Sequence, residues 1–306
     1  MSDVKLFKID DSGSVELKGA AFALEKPLQN LLEGDMEPLF GVRFLASEYS
    51  TGKKHGGRID SLGLDENGSP VIFEYKRAQN ESVINQGLFY LDWMLDHRAE
   101  FEKLVTTRLG SQIASTVDWT APRLICVAGD FNRYDEHAIS QIDRSIELIR
   151  YRVYEGRQYL TLELLASTAA SATAAGVAIT SKAKSGGSDK TVEQYHAQAS
   201  DGLRELYEAL ETVLLAQGDD VTKTVNKNYY AFRRIRNFAC VEVHPSTNRI
   251  LLYLKADLTS VKVENMFTRD VSKIGHFGTG NLEVRLSSRG DLERAEHLIE
   301  ASYGAS

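Results

Sequence analysis

Residues 56–90 read GGRIDSLGLDENGSPVIFEYKRAQNESVINQGLFY, and they constrain the rest of the chain more than any other stretch. The run Asp65-Glu66-Asn67-Gly68-Ser69-Pro70 is turn chemistry, and Asn67-Gly68 is a dipeptide that closes hairpins, so two strands should lie side by side around it. The first carries Asp60. The second carries Glu74 and Lys76, which alternation along a strand puts on one face with Tyr75 on the other. Two acids and an amine can therefore converge. Ile72 and Phe73 make the second strand look central, where an isolated charge is costly unless it is paired or binds a metal.

Elements on either side are periodic. Ala21 to Phe40 predicts a helix with Leu24, Leu28, Leu31 and Leu32 on its apolar stripe, and Pro27 is tolerable there only in the first turn. Glu25, Gln29 and Glu33 form a polar line beside that stripe. Phe44–Tyr49 predicts a strand, and 50–57 a basic, flexible loop. Glu81 to about Val105 predicts one amphipathic helix, with Gln86, Tyr90, Trp93 and His97 stepping along one face. Arg123–Ala128 reads as a short buried strand, Asp135–Ile149 as a helix, and Ile149–Leu165 as a hairpin turning at Glu155-Gly156.

From 166 to 191 the chain is low in complexity and has no aromatic residue, which predicts a flexible linker between a first domain, 1–165, and a second, 192–306. The second reads as α+β, with a helix over 192–215, strands at 237–243, 249–255 and 282–286, and a closing helix over 291–303.

With 306 residues, 42% of them hydrophobic and 26% charged, the chain is long enough for two cores. It contains no apolar run of membrane-helix length, and its start has no secretory pattern, so a cytoplasmic protein with no membrane partner is expected. Cys126 and Cys240 sit in apolar contexts and read as reduced core thiols. The net charge of −7 argues against a uniformly basic coat, but Val221 to Arg289 holds twelve Lys/Arg against five Asp/Glu. That segment reads either as a polyanion footprint or as a solvated basic face.

Asp60, Glu74 and Lys76 suit metal-assisted phosphodiester hydrolysis. Mg²⁺ (or Mn²⁺) is held by one or two carboxylates, waters and substrate phosphate, and a nearby lysine stabilises charge at the reacting phosphate. The bare spacing is equally that of a solvated hairpin face. Lys53, Lys54, His55 and Arg58 before Asp60, and Arg77 after Lys76, are candidates for phosphate contacts. In the second domain, Arg233, Arg234 and Arg236 interleave with Tyr229, Tyr230, Phe232 and Phe238, a pattern suited to nucleic acid or to a core. The glycine-rich loop 275–280 lacks the ending of a P-loop and reads as a tight turn.

The runs LEKPLQNLL, GRIDSLGLD and VIFEYKR, in that order, resemble the PD-(D/E)XK, or restriction-endonuclease-like, superfamily. They are most similar to the nuclease domain of mismatch endonucleases of the EndoMS/NucS kind. The match is close over about a fifth of the chain. It implies an α/β fold, a mixed sheet flanked by helices, and a metal-dependent nuclease acting on nucleic acid, with DNA as the expected substrate. It implies Asp60 and Glu74 as metal ligands, Lys76 as the catalytic lysine, Glu25 as a third acid that binds metal or orients water, and Gln86 and Tyr90 as the QxxxY pair. Ile59 stands where the superfamily pattern has proline, while the carboxylate is kept. A homodimer is also implied. The tail from Tyr229 onward resembles a bacterial domain of unknown function that follows nuclease-like modules; it would be an accessory domain for nucleic acid or a partner. The rival reading is a catalytically silent nucleic-acid-binding or protein-interaction module on the same scaffold.

Overall fold

The computed structural model describes residues 4–11, 13–76, 82–169 and 190–306, with the side chains of Lys54 and Ser82 left aside. Arg77 and most of the expected linker lie outside the described residues.

The chain begins with a two-stranded hairpin, β1 (Leu6–Asp10) and β2 (Gly13–Leu17), followed by α1 (Glu25–Gly34) and α2 (Met36–Phe40). Pro27 falls in the first turn of α1, where its missing N–H is harmless. Next come β3 (Val42–Ser50), the short α3 (Gly52–His55), β4 (Arg58–Asp65) and β5 (Pro70–Lys76). Helices α4 (Ser82–Asp96), α5 (Arg98–Leu109) and α6 (Ser111–Ala114) lead to β6 (Arg123–Ala128), α7 (Arg133–Ser140), β7 (Ser145–Tyr154) and β8 (Tyr159–Ser167).

Strands β3 to β8 form one sheet in chain order, with β5, β6 and β7 parallel and the flanking strands antiparallel. Its two faces bury separate cores. Leu28, Leu32 and Phe40 of α1 and α2 pack with Phe73, Tyr75 and Tyr151, while Val83, Leu91 and Met94 of α4 pack with Leu62, Ile72 and Leu124 on the other side. This is an α/β fold with a mixed sheet flanked by helices.

Four expectations are corrected here. The helix expected over Ala21–Phe40 starts at Glu25 and is two helices that break at Asp35, and the helix expected over 192–215 is two that break at 198–200. The helix expected over 81–105 is two helices that break at His97. The helix expected over Asp135–Ile149 ends at Ser140, and Ser145–Ile149 begins β7. A strand covered on both faces carries apolar residues at both parities, so Ile146, Leu148 and Ile149 lose the alternation that marks a strand.

The second unit contains α8 (Val192–Ala197), α9 (Asp201–Leu215), β9 (Thr222–Val225), β10 (Tyr230–Arg233), β11 (Asn237–His244), β12 (Arg249–Leu254), β13 (Thr268–Asp270), β14 (Leu282–Leu286) and α10 (Arg289–Gly304). Its antiparallel sheet runs β13-β14-β12-β11-β10-β9, with α9 and α10 covering one face through Leu206, Leu210, Leu298 and Ile299.

The two sheets meet at the tip of the β4–β5 hairpin. Asn67 Oδ1 accepts from Tyr229 Oη at 2.9 Å and from Asn237 Nδ2 at 2.6 Å, and Glu66 pairs with Lys255 at 3.3 Å. Beside the tip, Arg123 bridges Asp65 and Glu147, each at 2.9 Å, and Arg233 reaches Glu147 at 3.1 Å. All four of these side chains are buried. Two arginines and two carboxylates balance, which is what makes a charged cluster tolerable in a dry interface. Gly68, at φ 83°, turns the tip; a Cβ there would sit 2.5 Å from the Thr116 carbonyl oxygen.

Candidate active site

The ladder between β4 and β5 runs from Leu64↔Pro70 to Ser61↔Phe73 and stops, although β4 begins at Arg58 and β5 continues to Lys76. β5 stays paired with β6 as far as Lys76↔Ala128, so it is β4 that departs. In the fork, Asp60 Oδ2 accepts the Tyr75 N–H at 2.9 Å and Glu74 Oε1 accepts the Asp60 N–H at 3.3 Å. Each carboxylate thus takes a main-chain donor that the ladder has released. Glu74 is fully buried, and its Oε2 has no hydrogen-bond partner among the described residues.

Burial above all, and then the charge on Asp60, pushes the Glu74 carboxyl up to about 9. Burial also raises Asp60, against the Tyr75 N–H and the Lys76 ammonium, which both favour its ionised form. A cation between the two would let both ionise and would satisfy the orphaned oxygen, so the donor set fits a hard divalent ion completed by water and phosphate. No group of three or more His, Cys, Asp or Glu side chains is arranged to hold an ion among the described residues. Glu25 is near enough to add to the upward shift of both carboxyls. It stands in the first turn of α1, half exposed, and binds Lys76 Nζ at 3.6 Å. Lys76 is near enough to both carboxyls to oppose their upward shifts.

An open groove of about 750 Å³ runs over this fork, lined among others by Glu25, Lys26, Arg58, Asp60, Gln86 and Tyr90. Gln86 and Tyr90, one turn apart on α4, touch through Nε2 and Oη at 3.4 Å, and Tyr90 Oη accepts the Arg58 N–H at 3.1 Å. Tyr90 therefore anchors the diverging end of β4. Gly57 is required beside it, because a Cβ there would lie 2.5 Å from the Tyr90 ring. Gln29, buried on α1, donates to the Asp60 carbonyl at 2.8 Å and reaches Glu33 at 2.8 Å, so the polar line of α1 holds the main chain of β4. Lys26 and Arg58 share Glu48, at 3.0 and 2.8 Å. Glu48 and Lys26 also line the groove, and sequence reasoning missed them; Glu48 lies at φ 53°, past a bulge in β3 that nothing in the residue types announces.

Lys53 lines the groove and Arg58 is exposed at its mouth. The arginines of the second unit are elsewhere. Arg233 is buried against Glu147 and has no surface to offer a phosphate, Arg234 pairs with Asp220 at 2.7 Å, and Arg236 donates to the Ala305 carbonyl at 2.7 Å. Their aromatic neighbours Tyr229, Tyr230, Phe232 and Phe238 are buried core. The glycine-rich loop is structural: Gly278 packs on Cys240, and His276 stacks on Tyr253 at 4.4 Å. No helix among the described residues is long and apolar enough to cross a membrane.

The family model of a domain of unknown function (DUF5655) matches residues 192–306. Over 311 residues the chain is 30% identical to an uncharacterized protein of Haemophilus influenzae, spanning 97% of this chain and 98% of that one. Two solved structures show a partial likeness. A repair endonuclease from Pyrococcus abyssi is 16% identical with a TM-score of 0.27, and an EndoMS–dsDNA complex is 18% identical with a TM-score of 0.25. Each likeness covers 42% of this chain, and this chain spans just under half of either structure, 47% and 46%.

Proposed function

The chain belongs to one family with the uncharacterized Haemophilus influenzae protein that it matches from end to end, and we propose that this family's first sheet carries a metal-dependent phosphodiester hydrolase acting on nucleic acid, DNA in the first instance. The observation that carries this reading is the buried, unpartnered Oε2 of Glu74 beside Asp60, with Lys76 near both carboxyls and Asp60, Gln86 and Tyr90 lining one groove.

Asp60 and Glu74 would hold Mg²⁺ or Mn²⁺, which would supply Lewis-acid polarisation of a phosphoryl oxygen and a more acidic water. The residues of the chain do the rest. The Tyr75 N–H fixes the Asp60 carboxylate, and the Asp60 N–H fixes Glu74, so both oxygens are oriented before a ligand arrives. Lys76, steered by Glu25, places an ammonium where charge builds on the phosphate and where an attacking water can be hydrogen-bonded. Tyr90 and Gln29 hold the two ends of the Asp60 segment and so set the width of the fork.

A second reading, nucleic-acid binding without turnover, is favoured by the Glu25–Lys76 pair, since each partner occupies the other's charge. One assay separates them. Single-stranded, duplex, branched and mismatched DNA are incubated with Mg²⁺ or Mn²⁺ beside Asp60→Ala and Lys76→Ala variants. Cleavage by the parent that both variants lose supports the hydrolase. Salt-sensitive binding without cleavage supports the second reading, and variants that cut as well as the parent overturn the site.

A further inference from the structure

Beside the groove, α4 presents a ring stripe that the hydrolytic reading does not use. Phe89, Trp93 and His97 recur every four residues and so share a face of the helix. Trp93 is buried, and His97 stacks on it with ring centres 4.7 Å apart and planes 16° apart. His55 of α3 stands edge-on to His97 at 5.6 Å and meets Phe89 at 5.9 Å. The series thus climbs from the core to the surface, where Phe89 is 47% exposed. Phe89 also lies 5.8 Å from the Tyr90 ring, which forms the groove wall, and Lys53 lines the same groove two residues before His55.

We propose that Phe89 and His55 form a stacking site for an unpaired nucleobase of a strand whose backbone lies in the groove. This rests on the hydrolase or nucleic-acid-binding reading of that groove. Three observations select the occupant. The exposed apolar area is about one ring wide, whereas a protein partner needs roughly 800 Å² on each side, so a single flat group fits and a protein surface does not. The platform adjoins a groove with cationic groups, Lys53 and Arg58, which suits a ring that arrives attached to a phosphate chain. His97, stacked on the buried Trp93, backs His55, and Tyr90 backs Phe89, so the two outer rings are held in place and stacking does not require ordering them first. A base inside a duplex already has both faces covered. The site therefore favours single-stranded or locally unpaired nucleic acid.

The test is equilibrium binding of a fluorescent single-stranded DNA, the same strand with one abasic position scanned along it, and a blunt duplex, all in chelator so that no turnover occurs. Loss of one stacked base predicts about tenfold weaker single-strand binding for Phe89→Ala. Phe89→Trp should retain it, His55→Ala should weaken it, and circular dichroism should show all three folded. One abasic position should weaken the parent by a similar factor and leave Phe89→Ala unaffected, while duplex binding changes little. Phe89→Ala binding single strands as the parent does, or losing duplex and single strand equally, would overturn the stacking site alone. A parent that binds no nucleic acid overturns both the stacking site and the reading beneath it.

Discussion

Asp60 accepts the main-chain N–H of Tyr75 at the point where β4 leaves β5, so the side chain of one strand replaces the ladder bond that the strands no longer make. The fork and the carboxylate pair are therefore one feature, and disturbing Asp60 disturbs both. Asp60→Asn keeps the shape but weakens the acceptor and removes the charge. It should leave the fold intact and lower metal-dependent cleavage by about 100-fold or more. Cleavage rates beside a thermal melt check this; an unchanged rate with a lowered melt would show that Asp60 only supports the strand.

Glu74 gives a pH prediction. Its carboxyl, pushed up to about 9 by burial and Asp60, binds a proton in the folded chain that the unfolded chain has already released above pH 4.5. Stability from this group is therefore fully present below about pH 4.5 and declines as pH rises toward 9. Glu74→Gln removes that slope. In chelator it should be more stable than the parent by roughly 3 kcal/mol at neutral pH, measured by denaturant unfolding. Added Mn²⁺ should stabilise the parent and leave the variant unmoved.

Lys76 divides binding from chemistry. If its ammonium acts on the reacting phosphate, Lys76→Met should lower kcat by about 100-fold while Mn²⁺ affinity, read by calorimetry, stays the same or rises, since a cation beside the carboxyls has been removed. A parallel loss of metal affinity would instead make Lys76 a structural partner of the pair.

The second unit docks on the hairpin tip, about 20 Å along β4 from Asp60. Arg233→Met leaves Glu147 with Arg123 alone and should destabilise the chain by roughly 3 kcal/mol. Glu147 also carries an acid signature. Burial raises its carboxyl, but Arg123 and then Arg233 outweigh this and hold it below the usual carboxylate range. Its contribution is present above the ordinary carboxylate value and is lost as pH falls through the lowered one. Acid unfolding should therefore be shallower for Glu147→Gln than for the parent, and identical acid curves would contradict the network.

How much of this was legible beforehand follows from which interactions are local. The Asn67-Gly68 turn fixes the register of β4 and β5, so Asp60, Glu74 and Lys76 could be placed from the sequence, as could the shared face of Gln86 and Tyr90. Strand alternation also put Tyr75 in the opposite core. The early stop of the ladder leaves no trace in residue types, because it arises from Gln29, Tyr90 and a bulge in β3 acting from distant positions. Glu25 is the instructive case: its helix face was readable, but its pairing with Lys76 depends on three-dimensional distance. Arg233 shows the same limit in the second unit. Its basic and aromatic neighbourhood suits nucleic acid as well as a core, and only the approach of Glu147 from another sheet decides.

The most direct measurement is a crystal soaked in Mn²⁺ and recorded at the manganese absorption edge. The expected result is an anomalous peak within roughly 2.2 Å of Glu74 Oε2 and an Asp60 carboxylate oxygen, absent from Glu74→Gln crystals. No peak between Asp60 and Glu74 in the parent at saturating Mn²⁺, or a peak that persists in the variant, would contradict the assignment of these two carboxylates as the metal site of a hydrolase.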